Sequence, residues 1–219
     1  MKKYQYILFD LDGTITESGP GITRSVAYAL DHFGIHVEDT ETLRPFVGPP
    51  LAESFSRHYG MSGADIEEAI RLYRVYYAER GMLECTVYDG VPEMLKTLRE
   101  HGYKLYLATS KPEFYATQIL AHFGLTGLLD GIYGAGMHDR STKAEVITQC
   151  LETEHIAPAD CVMVGDRFYD IEGARALGID TIAVLYGYGT SEELSSHQPL
   201  TLVDTPSGVA AYLFGKEQA

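Results

Sequence analysis

Short apolar segments rich in β-forming residues alternate with segments of helical periodicity along most of this chain. The apolar segments lie at 4–9, 104–109, 131–135, 161–165 and 181–185, with a weaker sixth at 200–203. This alternation is typical of a parallel sheet with helices on both faces. We therefore expect an α/β fold with a doubly wound parallel sheet.

One long segment interrupts the alternation. Between residues 16 and 83 we find helical periodicity and no convincing strand, and the proline-rich stretch 44–50 indicates an ordered loop between helices. About 70 helical residues inserted between the first two sheet strands predict a separate subdomain. We expect an α/β core domain at 1–15 and 87–219 and an all-α cap domain at 16–86.

Composition excludes several kinds of protein. The 219 residues carry 17 Lys and Arg against 31 Asp and Glu, a formal net charge of −14, which argues against a nucleic-acid partner. Cys85, Cys150 and Cys161 are too few for a disulfide framework. No apolar run approaches the roughly 20 residues that cross a bilayer. We expect a cytoplasmic protein without a membrane partner, as a monomer or weak homodimer.

Acidic residues stand directly after two of the expected strands. Asp10 and Asp12 follow the first strand, and Asp166 and Asp170 follow the fourth. Taken singly, Asp12 also fits a hairpin turn, and Asp170 fits the first turn of a helix. Taken together, they point to a site, because open parallel sheets bind ligands beyond the carboxyl ends of their strands. Carboxylates that converge there need a cation, and oxygen ligands favour Mg²⁺.

Three further residues fit an anion site at the same edge. Thr109 ends the second strand and Ser110 follows it, where a hydroxyl and the backbone N–H groups of a helix start can bind an anion. Thr109 also fits a simple helix cap. Lys143 begins an amphipathic helix, where a cation is unfavourable for the helix dipole, so a nearby anion explains it better than solvent exposure does.

In chain order, these residues resemble the four motifs of the haloacid dehalogenase-like hydrolase superfamily. The motifs are an Asp-x-Asp-Gly-Thr strand end, a Thr or Ser strand end, a Lys and a Gly-Asp-x-x-x-Asp strand end. Their counterparts here are Asp10 with Asp12, Thr109, Lys143, and Asp166 with Asp170. The resemblance spans nearly the whole chain and implies a Rossmann-like core with a helical cap.

The resemblance also implies a role for each residue. Asp10 would attack phosphorus and become an aspartyl-phosphate, while Asp12 would protonate the leaving group and then deprotonate water. Thr109 would bind a phosphoryl oxygen, and Lys143 would neutralise negative charge. The implied Mg²⁺ ligands are Asp10, the main-chain carbonyl of Asp12, Asp166 and, in support, Asp170.

Three further segments, 46–51, 108–112 and 186–189, resemble the phosphoglycolate phosphatase-like branch of the family. This implies hydrolysis of a small phosphate monoester, with phosphoglycolate as the leading substrate. A 5′-nucleotidase, a pyrophosphatase, a sugar-phosphate phosphatase and a phosphoglucomutase remain open. The candidates for binding the rest of the substrate are Ser110, Arg24, Arg44 and Gly48.

Three other classes are disfavoured by features of the sequence. Dehalogenases of the superfamily lack the second aspartate, so Asp12 favours phosphoryl chemistry. A phosphonate-cleaving relative needs a cap lysine, and the chain has no lysine between Lys3 and Lys96. A phosphoaccepting regulatory domain would also use an acidic cluster, but it needs neither an inserted subdomain nor a leaving-group acid.

Overall fold

The computed structural model describes residues 3–137 and 142–217. In these residues the strands are β1 Tyr6–Phe9, β2 Thr16–Glu17, β3 Thr86–Val87, β4 Lys104–Pro112, β5 Gly131–Ala135, β6 Cys161–Gly165, β7 Asp180–Val184 and β8 Thr201–Val203. The α-helices are α1 Gly19–Asp31, α2 Leu51–Tyr59, α3 Ala64–Glu79, α4 Val91–Glu100, α5 Glu113–His122, α6 Lys143–Glu154, α7 Phe168–Arg175, α8 Ser191–Ser196 and α9 Pro206–Glu217. Short 3₁₀ helices lie at Thr40–Phe46, Gly81–Leu83, Thr126–Leu128 and Pro158–Asp160.

The chain divides into two compact units. The first runs to Thr16 and resumes at Val87, and the second is Glu17–Thr86. β2 and β3, at the two crossings between the units, pair as a two-stranded sheet, although no strand was expected near residue 16. We propose that the units are the core and cap domains.

Six strands of the first unit form one parallel sheet in the order β5-β4-β1-β6-β7-β8. β1 is central and lies between β4 and β6. Ile7, Leu8 and Phe9 are fully buried, as expected for a strand covered on both faces. The doubly wound α/β prediction is confirmed, and the carboxyl ends of β1, β4 and β6 lie side by side.

Helix starts and stops in the first unit follow local signals in the sequence. A capping box begins α6, with the Thr142 side chain accepting from the Glu145 N–H and the Glu145 side chain accepting from the Thr142 N–H. This cap fixes the position of Lys143, the first residue of the helix. On its inner face α6 packs Val146, Ile147 and Cys150 into the core beneath the sheet.

β4 differs from its prediction. It was expected to end at Thr109, but it continues to Pro112. Between Thr109 and Pro112 its register against β5 shifts, because Thr109 pairs with Gly134 and Pro112 already pairs with Ala135. Two residues, Ser110 and Lys111, are therefore extra on β4, which makes this a β-bulge at the edge where the carboxyl ends meet.

The second unit is helical. α1 buries Ile22, Val26 and Leu30, and α3 buries residues of its own apolar face such as Leu72. The loop predicted at 44–50 is wrong in its first part, because Thr40–Phe46 is a 3₁₀ helix that contains Pro45. Proline fits a 3₁₀ turn because its fixed φ of about −65° lies within the 3₁₀ range.

No helix among residues 3–137 and 142–217 combines the length and apolar character that a membrane span requires.

Candidate active site

Asp10 is the first residue beyond β1. Its N–H donates to the carbonyl of Val164 on β6, at 3.0 Å, so the backbone stays tied to the sheet at this point. The side chain is largely buried, and its Oδ1 accepts a hydrogen bond from Lys143 Nζ at 2.7 Å. Asp10 therefore has a fixed orientation at the edge of the sheet.

Lys143 is buried among oxygen atoms. Its Nζ lies 2.8 Å from Asp170 Oδ1 and donates to the Ala108 carbonyl at 3.1 Å, in addition to its bond with Asp10. Burial alone would lower the pKa of Lys143, but the carboxylates of Asp10 and Asp170 outweigh it and raise that pKa above its ordinary value. The ammonium group is therefore charged at every physiological pH.

Asp166 is fully buried beyond β6 and is held through both oxygens. Its Oδ1 accepts from Thr14 Oγ1 at 3.2 Å, and its Oδ2 accepts from the Tyr188 N–H at 2.8 Å. The backbone of Gly13 and Gly187 packs closely against the Asp166 side chain. A Cβ on Gly13 would lie 2.1 Å from Asp166 Oδ2, and a Cβ on Gly187 would lie 2.4 Å from the Asp166 Cβ. Burial, together with the carboxylates of Asp170 and Asp10, raises the pKa of Asp166 well above its usual range.

Asp170 lies in the first turn of α7 and is also buried. Its Oδ2 accepts from the Arg167 N–H at 3.1 Å, while its Oδ1 faces Lys143. Burial raises the pKa of Asp170 to about 6, because the favourable effect of Lys143 only partly offsets it.

Three of these carboxylates form one cluster. Asp10, Asp166 and Asp170 each place an oxygen such that the three atoms lie within 4.8 Å of one another. If all three carboxylates are ionised, the ammonium of Lys143 balances one of them and two negative charges remain. Burying these charges away from water is unfavourable. A divalent cation with a preference for oxygen ligands would balance this charge, so the donor set fits a metal of that kind.

Asp12 lies outside this cluster and has a different partner. Its Oδ2 lies 2.9 Å from Lys111 Nζ, and the two side chains are only 13% and 5% exposed. The other oxygen, Oδ1, is buried and has no hydrogen-bond partner in the described part of the chain. An orphaned, buried carboxylate oxygen is an unusual feature that calls for a ligand or a proton.

The candidate anion-binding residues differ in exposure. Thr109 is buried, and its Oγ1 accepts from the Lys111 N–H at 3.3 Å, so its hydroxyl proton is not used in that bond. Ser110 is exposed. Thr109 is the last residue of β4 before its register shifts, and Ser110 is the next residue toward α5.

Arg24, Arg44 and Gly48 belong to the second unit. Arg24 Nη1 lies 3.3 Å from Glu84 Oε2, and Arg44 Nε lies 2.7 Å from Glu41 Oε2. Gly48 is exposed and has a φ of +102°. A role for these three in substrate binding stays a prediction.

Sequence reasoning missed several residues that shape the site. Lys111 was seen only as part of a family motif, and the backbone of Tyr188 was not considered as a donor. Thr14 was noted only as the last residue of the Asp-x-Asp-Gly-Thr motif, although its hydroxyl donates a hydrogen bond to Asp166. The signal for Lys111 was a lysine two residues past a candidate strand end.

The central strand of the parallel sheet ends in a lysine-bound carboxylate that belongs to a buried acidic cluster, and a separate acid lies nearby. This arrangement is typical of a hydrolase of phosphate esters. The chain belongs to the haloacid dehalogenase-like hydrolase family, whose model matches residues 7–184. It is an enzyme that acts on phosphoric monoesters.

Curated relatives are similar over most of the chain. A 5′-nucleotidase from Pseudomonas aeruginosa is 43% identical, with 90% of each chain covered. A tyrosine-protein kinase PtkA from Mycobacterium tuberculosis is 41% identical, with 86% of this chain and 64% of the relative covered. A phosphoglycolate phosphatase from Colwellia psychrerythraea is 26% identical, with 94% and 95% covered. The resemblance to the phosphoglycolate phosphatase-like branch is confirmed.

The fold also matches a solved structure. The crystal structure of a predicted phosphatase from Clostridium acetobutylicum has a TM-score of 0.92 and 41% identity, with 99% of each chain covered. The described helices and strands are therefore those of a phosphatase-type fold.

Proposed function

We propose that this protein is a Mg²⁺-dependent phosphatase that hydrolyses a small phosphate monoester through an aspartyl-phosphate on Asp10. One observation carries the proposal: Lys143 and the carboxylates of Asp10, Asp166 and Asp170 form a buried cluster at the sheet edge, and the Asp12 carboxylate stands apart from it. The first group suits the binding of a metal and a phosphate, and the second suits proton transfer.

The Mg²⁺ ligands would be Asp10, Asp166 and the main-chain carbonyl of Asp12, with Asp170 in support. The ion, when bound, would neutralise charge on the nucleophile and on the transferring phosphoryl group. Asp166 supports this assignment because both of its oxygens are already oriented by Thr14 and Tyr188. A ligand held in advance loses little freedom on binding.

In the first step, a carboxylate oxygen of Asp10 attacks phosphorus, and the bond to the leaving oxygen breaks. Lys143 keeps Asp10 in position and offsets negative charge as the phosphoryl group arrives. Asp12 donates a proton to the leaving alkoxide. Thr109 and Ser110 would donate hydroxyl and backbone hydrogen bonds to phosphoryl oxygens, next to the start of α5.

In the second step, a water molecule attacks phosphorus and the bond between phosphorus and Asp10 breaks. Asp12, now a carboxylate, removes a proton from that water. The products are inorganic phosphate and the original Asp10 carboxylate, so the cycle closes without another reactant.

For the substrate, we put a nucleoside 5′-monophosphate first and 2-phosphoglycolate second. The order follows similarity, because the relative named 5′-nucleotidase is 43% identical and the relative named phosphoglycolate phosphatase is 26% identical. The phosphoglycolate candidate keeps the support of the motifs at 46–51, 108–112 and 186–189. Arg24, Arg44 and Gly48 are the candidates for contacts beyond the phosphate.

Phosphate release tests this function. Wild-type protein with Mg²⁺ is offered nucleoside 5′-monophosphates, 2-phosphoglycolate, pyrophosphate and sugar phosphates, beside the variants Asp10→Asn and Asp12→Asn. We expect release from at least one monoester, and a loss of at least about 10³-fold in Asp10→Asn.

Three results would contradict the proposal. These are no release from any monoester, full activity in Asp10→Asn, and an isomerised sugar phosphate with little free phosphate, which would indicate a mutase. Transfer of phosphate from ATP to protein tyrosine, without hydrolysis of monoesters, would instead favour a kinase like the mycobacterial relative.

A further inference from the structure

Lys111 is a buried lysine outside the acidic cluster. Its side chain is 5% exposed, and its ammonium lies 2.9 Å from Asp12 Oδ2. Burying a lysine is unfavourable without an anionic partner, and Asp12 supplies one. Lys143 already contacts the acidic cluster, whereas Lys111 contacts Asp12, which lies outside it. Lys111 therefore does not serve to balance the charge of the cluster.

The backbone is shaped to bring Lys111 to this place. Lys111 and Ser110 are the two extra residues of the bulge in β4, and in the bulge the Lys111 N–H reaches back to Thr109 Oγ1. The neighbouring strand makes room for it with a glycine, since a Cβ on Gly134 would lie 2.7 Å from the Lys111 carbonyl oxygen. A bulge beside an active site commonly re-aims a side chain.

The contact is selective for one oxygen of Asp12. Lys111 occupies Oδ2, while Oδ1 is buried and lacks a hydrogen-bond partner among the described residues. We propose that Lys111 is a positioning residue that anchors Asp12 through Oδ2 and leaves Oδ1 as the atom that transfers protons. This inference rests on the proposed function, because it assigns the atoms that carry out the role of Asp12.

The anchoring is compatible with both steps of the reaction. When Asp12 is protonated on Oδ1, Oδ2 still accepts a hydrogen bond from the ammonium. As the Asp10–phosphorus bond forms and the ester bond breaks, the Oδ1 proton moves to the leaving oxygen. As water attacks phosphorus and the Asp10–phosphorus bond breaks, Oδ1 takes a proton from that water. Lys111 neither gains nor loses a proton.

Leaving-group dependence tests this role. A poor alkoxide leaving group needs protonation by Asp12, whereas p-nitrophenolate leaves without it. We would measure kcat/KM for an alkyl phosphate and for p-nitrophenyl phosphate in wild type, Lys111→Met and Lys111→Arg. The matched control is Lys104→Met, the same substitution at the other end of β4, where the side chain is 60% exposed.

We expect Lys111→Met to lower kcat/KM about 30- to 100-fold for the alkyl ester, because misplacing an acid catalyst costs about that much. For the aryl ester, which needs no acid, kcat/KM should fall less than about 3-fold. Lys111→Arg should recover most of the alkyl activity, and Lys104→Met should match wild type on both esters. Equal losses on the two esters, or a rise in KM with unchanged kcat, would overturn the inference by showing that Lys111 binds the phosphate group.

A second comparison guards against misfolding, because Lys111→Met leaves the Asp12 carboxylate without its cation. Asp12→Asn and Asp12→Asn/Lys111→Met are compared on the aryl ester, and the second substitution should have no further effect. A further loss of activity in the double variant would show that Lys111 acts independently of Asp12. That result would overturn the inference about Lys111 and leave the proposed function standing. The alkyl ester is a monoester that the wild type hydrolyses in the phosphate-release panel, and no release from any monoester of that panel would refute the proposed function itself.

Discussion

Gly13→Ala should damage the protein far more than an ordinary glycine substitution. Gly13 has a φ of +85°, and a Cβ there would lie 2.1 Å from Asp166 Oδ2 and 2.5 Å from its carboxyl carbon. Asp166 has little room to move, since it is fully buried and both of its oxygens accept hydrogen bonds. The new methyl group must therefore displace either the carboxylate or the backbone.

The matched control is Gly178→Ala. Gly178 has a φ of +74°, close to that of Gly13, and nothing lies within 4 Å of its ideal Cβ position. In both variants an alanine must adopt a left-handed backbone conformation, which costs roughly 1 kcal/mol. Both substitutions also lower the conformational entropy of the unfolded chain to the same extent. The difference between them isolates the collision with Asp166. Overpacking costs about 1–3 kcal/mol, and disturbing a hydrogen bond of Asp166 adds about 1 kcal/mol.

Gly13→Ala should therefore be less stable than Gly178→Ala by about 2–4 kcal/mol. With an m-value of about 2–3 kcal/mol/M, the midpoint of urea unfolding should differ by about 1 M. Phosphate release should fall by about 10²-fold or more in Gly13→Ala only, because Asp166 is moved. Equal midpoints and equal activities for the two variants would refute the account of Asp166 as a ligand held by close packing.

The remaining predictions concern charge and burial. Lys143→Met should destabilise the metal-free protein by about 3 kcal/mol in urea unfolding, because buried carboxylates lose their cation; an unchanged midpoint would contradict this. Since the pKa of Asp170 is raised to about 6, the native state holds a proton that the unfolded state releases, so in EDTA the stability of wild type relative to Asp170→Asn should fall as the pH rises from 4 through 6. A difference in unfolding free energy between wild type and Asp170→Asn that stays constant from pH 4 to pH 6 would contradict the raised pKa of Asp170. Burial raises the pKa of the Cys150 and Cys161 thiols to about 12, so a thiol reagent at pH 8 should label Cys85 first and the other two only after unfolding.

The sheet and its acidic strand ends were predictable from sequence because local signals carry them. β1 and β6 are short apolar runs that end just before Asp10 and Asp166, so the pattern shows both the strand and the residue that follows it. The capping box at Thr142 likewise fixed the start of α6 and hence the place of Lys143.

The partners of these residues could not be predicted, because they depend on tertiary contacts. The Tyr188 N–H that binds Asp166 comes from a loop 22 residues later in the chain, and no residue type identifies a backbone donor. Lys111 reaches Asp12 from a bulge of two extra residues, and a period-two pattern in the sequence does not reveal a bulge. The 3₁₀ helix at Thr40–Phe46 was missed because Pro45 was taken as a sign of a loop.

Trapping the phosphoenzyme tests the central claim most directly, namely that Asp10 becomes covalently phosphorylated. Wild-type protein turning over a hydrolysed monoester with Mg²⁺ would be quenched in acid and reduced with borohydride, which converts an aspartyl-phosphate to homoserine. Mass spectrometry of the peptide that spans Asp10 and Asp12 should find homoserine at position 10 alone. Homoserine at position 12, or none at either position during active turnover, would contradict the account.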